Sequence, residues 1–163
     1  MLLSAERADA LLHVEKRLVA SGVIDLRQAK TRVMLVAEKK PVRFMFEFSR
    51  TCIELKKVSY HMQVEKGIGL TRFDFGGGHN NPRMADGAPK VAEPYVGKRF
   101  VNESHIHVYS PACLLDWAVP PEALGIHFGT KPNGACDIRQ VLDAFCEYIA
   151  LKDRIIIQGA FHG

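Results

Sequence analysis

The feature that most constrains this chain is a two-residue alternation that runs through residues 58–75 and breaks once. Val58, Tyr60, Met62 and Val64 stand opposite Ser59, His61, Gln63 and Glu65. After Lys66-Gly67, Phe73 and Phe75 stand opposite Arg72 and Asp74. Side chains on a strand alternate between faces, so each run describes a sheet with one apolar and one polar side. Two such runs around a short glycine-containing turn predict an antiparallel hairpin.

Residues 42–48 repeat the pattern, with Phe44, Phe46 and Phe48 on the core side, and residues 51–57 read as a further strand. Residues 103–109 and 114–119 are also predicted as strands, separated by Ser110-Pro111, and a short apolar strand or a tail is expected at 154–158. An apolar sheet face needs a partner. Two helices supply one. The first is predicted over 4–21, with Ser4 as N-cap, Ala8, Leu11, Leu12, Leu18 and Val19 as its stripe, and Gly22 just past its end. The second begins at Asp137, where Asp137 and Gln140 have the spacing of a capping box, and carries Ile138, Val141, Leu142, Phe145 and Ile149 on one side. The fold class is therefore α+β: an antiparallel β-sheet with an N-terminal and a C-terminal helix packed on it. A length of 163 residues suits a single domain spanning 1–163.

Gly76-Gly77-Gly78 cannot continue a strand, and residues 80–100 hold three prolines and no apolar period. A long loop is expected at about 80–102. Loops of that length inside a domain are usually functional or mobile.

No run approaches the roughly 18 apolar residues of a membrane span, and the first residues lack the pattern of a secretory signal, so the expected location is cytoplasmic, with no membrane partner. The four cysteines, Cys52, Cys113, Cys136 and Cys146, contain no C-x-x-C pair, which argues for reduced thiols rather than a cysteine zinc site. A formal charge of +4 permits an acidic partner such as RNA without requiring one.

The residues that suggest chemistry are His79, His105, His107, Arg72, Asp74 and Tyr109. His105, His107 and Tyr109 alternate on one strand, which places them on one face, expected to be open to solvent or a cleft. His79 follows the glycine turn directly after the strand bearing Arg72 and Asp74. Pairing of the 68–75 and 103–109 strands would bring the two groups together. His61, Asn81, Lys98 and Arg99 are candidates for substrate contacts. Two histidines near neutral pKa suit general acid and base work, with Arg72 holding a phosphate: the equipment of metal-independent RNA cleavage. The same His79, His105, His107 and Asp74 also suit a divalent metal, and surface hydrogen bonding is the plainest alternative. The reading adopted has no cofactor and no metal. Gly76-Gly77-Gly78 is not followed by a G-K-[ST] run and is not a phosphate-binding loop.

The run Arg72-Phe-Asp74-Phe-Gly-Gly-Gly-His79-Asn-Asn-Pro82, followed by His105-Ile-His107-Val-Tyr109, resembles an uncharacterised family of small bacterial and prophage-borne proteins with an R-x-D, H-x-N-P, H-x-H-x-Y core. The 83–102 segment is longer than that pattern. A slighter likeness joins the chain to toxins of toxin–antitoxin pairs. The resemblance implies a toxin-like or mobile-element protein acting on nucleic acid, a possible ribonuclease, with RNA or an antitoxin as partner. The alternative it implies is a non-catalytic phage or prophage inhibitor of a host defence system, anti-CRISPR-like, binding a host defence protein through the 80–102 loop.

Overall fold

The structure is a computed structural model, and it describes residues 2–52, 54–64 and 67–159. In chain order the elements are α1 (Ala5–His13), β1 (Lys16–Leu18), β2 (Val23–Asp25), β3 (Lys30–Ala37), β4 (Arg43–Arg50), β5 (Val58–Val64), β6 (Ile68–Phe75), β7 (His79–Asn80), β8 (Arg99–Phe100), β9 (His105–Ser110), β10 (Leu114–Val119), α2 (Ile138–Tyr148) and β11 (Ile156–Gln158). Seven strands form one antiparallel sheet in the order β1-β3-β4-β5-β6-β9-β10. The architecture is α+β, with an N-terminal and a C-terminal helix.

The alternation places the core on one side of this sheet. Phe44, Phe46, Phe48, Tyr60, Met62 and Phe73 are all buried there. Tyr60 lies at the centre, within about ring-contact distance of Phe46, Phe48, Phe73 and Phe145, the last stacked at 5.8 Å. Phe145 belongs to α2, whose Ile138, Val141, Leu142 and Cys146 face the same core. Asp137 caps α2 as expected, its carboxylate accepting from the Gln140 amide at 3.2 Å. The four cysteines are free.

Four predicted elements differ. The first helix ends at His13, not near residue 21, although Ser4 does cap it. The chain turns extended at Val14, and Lys16 enters the core. Its Nζ donates to the carbonyls of Leu12, Val14 and Ile149 at 2.7, 2.8 and 2.8 Å. Its backbone pairs with residues 150–152, and residues 16–18 become the sheet's edge strand. Tertiary pairing overrides a local helical period there, and Gly22 no longer follows a helix. The described residues of 51–57 form a connection, not a strand: Leu55 has φ 55°, and the Thr51 amide closes onto the Lys57 carbonyl. The 80–102 segment is built rather than irregular, with β7 and β8 paired and a 3-10 helix at Lys90–Tyr95. The 154–158 strand exists, but it pairs in parallel with β2 outside the main sheet. The predicted turn at Lys66 falls on a residue outside the described ones; Gly67 beside it has φ 81°.

At Gly76 the chain leaves β6 with φ 67°, and a Cβ there would stand 2.1 Å from the Lys56 carbonyl oxygen. Only glycine fits this turn, which sends the following segment across the polar side of the sheet.

Candidate functional site

Strand β6 pairs with β9 in the register Arg72↔His107 and Asp74↔His105. This sets Arg72, Asp74, His105 and His107 on one face, the face away from the aromatic core. His61 and Ser59 of β5 join it, opposite Arg72 and Asp74. The segment after Gly76 folds over them. His79 lies 4.6 Å from His107 and 5.8 Å from His105, ring centre to ring centre, and Phe100 lies 4.9 Å from His105.

Five predicted residues thus converge: Arg72, Asp74, His79, His105 and His107. The expectation that the paired histidines lie open to solvent or a cleft is not met: both are buried. His105 is 0% and His107 1% exposed, because β7, β8 and the glycine turn cover them. Tyr109 leaves the cluster. Its hydroxyl donates to the Leu3 carbonyl at 2.9 Å and accepts from the Leu3 amide at 3.1 Å, tying β9 to the start of α1.

Asp74 is the hub. Its Oδ1 accepts from Ser59 Oγ at 2.7 Å, and its Oδ2 accepts from Arg72 Nε at 3.0 Å. The same Oδ2 stands 3.1 Å from His107 Nε2 and 3.4 Å from His105 Nε2. Burial raises the Asp74 carboxyl, but the two imidazoles, the Arg72 guanidinium and the Ser59 hydroxyl outweigh it and hold it well below the ordinary carboxylate range.

The hydrogen bonds fix the ring orientations. A carbonyl only accepts, so the ring nitrogen facing it carries the hydrogen. His105 Nδ1 donates to the Glu103 carbonyl at 2.9 Å, and His107 Nδ1 to the Leu115 carbonyl at 2.7 Å. His79 Nε2 donates to the Asp116 carbonyl at 2.8 Å. Arg72 Nη2 donates to His107 Nε2 at 2.9 Å. His105 Nε2 is buried without a hydrogen-bond partner. Asp74 Oδ2, His105 Nε2 and His107 Nε2 all lie within 4.8 Å of one another, the donor set a metal ion would use. Burial lowers the pKa of His79 and His61, and the Arg72 charge lowers both further; at His79 the Asp116 carbonyl opposes the shift. His79 therefore stays neutral at neutral pH, with a free base nitrogen at Nδ1. The Arg72 side chain is 40% exposed and is the open member of the cluster.

The remaining candidates are placed differently. His61 reaches the edge of the cluster, its Nε2 buried without a partner. Asn81 is spent on the backbone: its amide donates to the Tyr95 and Ala118 carbonyls at 2.9 and 2.7 Å and accepts from the Ala118 amide at 2.9 Å. It clamps the covering segment to β10 and has no group left for a substrate. Asn81→Ala is expected to cost about 2 kcal/mol, since it orphans buried main-chain groups. Hydrogen exchange at Ala118 and protease cleavage within 82–102 should both quicken. Lys98 pairs with Glu103 at 3.3 Å and lies over the Phe100 ring. Arg99 is exposed beside it.

Sequence reasoning missed Ser59 and Phe100. Ser59 carried a signal, since it shares the parity of His61 on β5. Phe100 carried none, because its place over His105 depends on how the covering segment folds.

A family model described as a family of unknown function (DUF6978) matches residues 3–151. No curated protein and no solved structure matches the chain.

Proposed function

For this chain, which belongs to that family of unknown function, we propose action on the phosphate backbone of nucleic acid, as a toxin-like RNA-cleaving enzyme. One observation carries the reading: an exposed guanidinium, fixed by a carboxylate, and a neutral imidazole with a free base nitrogen both rest against His107. Arg72 would bind a phosphate, in the manner of guanidinium forks. His79 Nδ1 would take the proton of a ribose 2′-hydroxyl. The 2′-oxygen then bonds to phosphorus, the bond to the 5′-oxygen breaks, and His79 returns the proton to that leaving oxygen. The products are a 2′,3′-cyclic phosphate and a 5′-hydroxyl. Asp74, His105 and His107 are too buried to meet a substrate in this arrangement. Their part is to hold Arg72 and the His79 ring in place.

The test is cleavage of a mixed-sequence RNA by the full chain, with product ends identified. His79→Ala is expected to slow cleavage about a hundredfold, and Arg72→Gln to raise the KM for RNA. Intact RNA with the wild-type protein, or cleavage unchanged in His79→Ala, would sink the reading.

A second reading rests on a different observation. The covering segment exposes Met84 at 67% and Val101 at 55%, next in sequence to Arg83 and near Arg99. Exposed apolar side chains beside arginines suit a protein partner, as an inhibitor of a host defence protein would need. On that reading the effect of the protein in a bacterial host survives His79→Ala and is lost in Met84→Asp.

A further inference from the structure

We propose that Asp74 Oδ2, His105 Nε2 and His107 Nε2 form a three-ligand site for a divalent first-row transition metal, zinc foremost, with its open position on the side of Arg72. The inference is independent of the nucleic-acid reading and rests on ring orientation, spacing and an orphaned atom.

Both histidines commit Nδ1–H to main-chain carbonyls, Glu103 for one and Leu115 for the other. Each ring is thereby locked with Nε2 toward the same carboxylate oxygen. Tethering of the outer ring nitrogen to a carbonyl is the usual support of a metal-bound histidine. Each ring therefore turns Nε2 toward Asp74 Oδ2, so that three ligand atoms converge in one buried space. A metal ion would take the place of any proton on the two Nε2 atoms and bridge all three ligand atoms. Arg72 Nη2 partly fills that role, since it reaches His107 Nε2 and Asp74 Oδ2. It leaves His105 Nε2 unpartnered, at 0% exposure and 3.4 Å from Oδ2. A buried orphan aimed at a carboxylate is costly without a ligand.

The spacing fits. Tetrahedral zinc with bonds of about 2.0–2.1 Å sets its ligand atoms about 3.3 Å apart. The oxygen–nitrogen separations are 3.1 and 3.4 Å. Two imidazoles and one carboxylate suit zinc, cobalt or ferrous iron, and not magnesium or calcium, which take oxygen ligands. Ser59 on Oδ1 keeps the carboxylate oriented with Oδ2 toward the rings. Three protein ligands leave a fourth position for water on the side of Arg72. Arg72, 40% exposed, has room to swing toward solvent when the metal enters.

The experiment strips the purified full chain with a chelator and titrates it with zinc chloride and, separately, cobalt chloride. Metal content, the visible cobalt spectrum and the thermal midpoint are read together. Expected are one equivalent per chain, cobalt bands of four-coordinate nitrogen and oxygen ligation, and a midpoint that rises with metal and falls back with chelator. His107→Gln and Asp74→Asn, checked for fold by circular dichroism, should each weaken uptake at least tenfold. Arg72→Ala removes a competitor for two ligand atoms, so it should keep or tighten uptake while raising the KM of any RNA cleavage. The two proposals therefore fail separately. The metal site is overturned if the wild type shows no saturable uptake, if folded His107→Gln takes up metal unchanged, or if the cobalt spectrum shows thiolate charge transfer, which would mean that cysteines bind it. The spectrum decides even if the buried variants do not fold.

Discussion

Asp74→Ala is expected to destabilise the metal-free protein by about 3 kcal/mol, the cost of removing one partner from a buried charged network. For a chain of this size that lowers the melting midpoint by roughly 6–12 °C. The carboxylate is 16% exposed and touches Ser59, Arg72, His105 and His107. Without it Ser59 loses its acceptor, Arg72 loses its anchor, and two buried rings face an empty space. Thermal and urea unfolding of both proteins measure the difference, and an effect below about 1 kcal/mol would mean that the cluster is a loosely solvated surface patch. The loss should also depend on pH in a definite direction. Asp74 has a folded pKa below its unfolded value of about 3.9, so its contribution is fully present above that pH and fades as pH falls below it. The gap between wild type and Asp74→Ala should be flat from neutral pH to about 5 and shrink in more acidic solution. His61 and His79 act in a different window. Their folded pKa values lie below the unfolded value of about 6.5, so the unfolded chain binds more protons there, and stability should rise as pH increases through that value.

Lys16→Met is expected to cost a similar amount, about 3 kcal/mol, far from any chemistry. Lys16 is 0% exposed, and its ammonium meets three carbonyls, two at the end of α1 and one at the end of α2. Those are carbonyls that helix ends leave without partners. Phe44 adds a ring face 4.8 Å from the charge. Methionine keeps the volume and removes every donor, so each buried acceptor loses its partner at about 1–3 kcal/mol, partly offset because a charge no longer has to be buried. Burial lowers the Lys16 pKa to about 7, while the three carbonyls, each needing an N–H, favour the ammonium. The substitution should loosen the joint among α1, α2 and β1. Faster amide exchange at Ala150, Leu151 and Lys152 would locate the effect, and an unchanged unfolding midpoint would show that water can replace the lysine.

Much of the sheet was legible because alternation is a local signal. Phe44, Phe46 and Phe48, or Tyr60 and Met62, must point one way once the backbone is extended, whatever surrounds them. The capped helix α2 was legible for the same reason: Asp137 and its apolar stripe act within a few residues. Parity also placed Arg72 and Asp74 together, and His105 and His107 together. That the two pairs meet, 33 residues apart in the Asp74–His107 contact, depends on β6 lying next to β9, a long-range pairing that no local pattern encodes.

Tertiary structure alone decided burial and direction. The same alternation that makes His105 and His107 neighbours cannot say whether their face is wet, and the covering segment made it dry. Asn81 looked free to bind a substrate until the Ala118 backbone took its amide, and Tyr109 looked like a member of the site until Leu3 took its hydroxyl. Lys16, inside the helix expected over 4–21, lies in the core because two helix ends supply carbonyls for it. Sequence determines which groups a strand or helix presents together, because backbone geometry repeats over two or four residues. Which of those groups lose water, and what they bond instead, depends on segments distant in the chain, and burial then sets the strength of every polar contact they make.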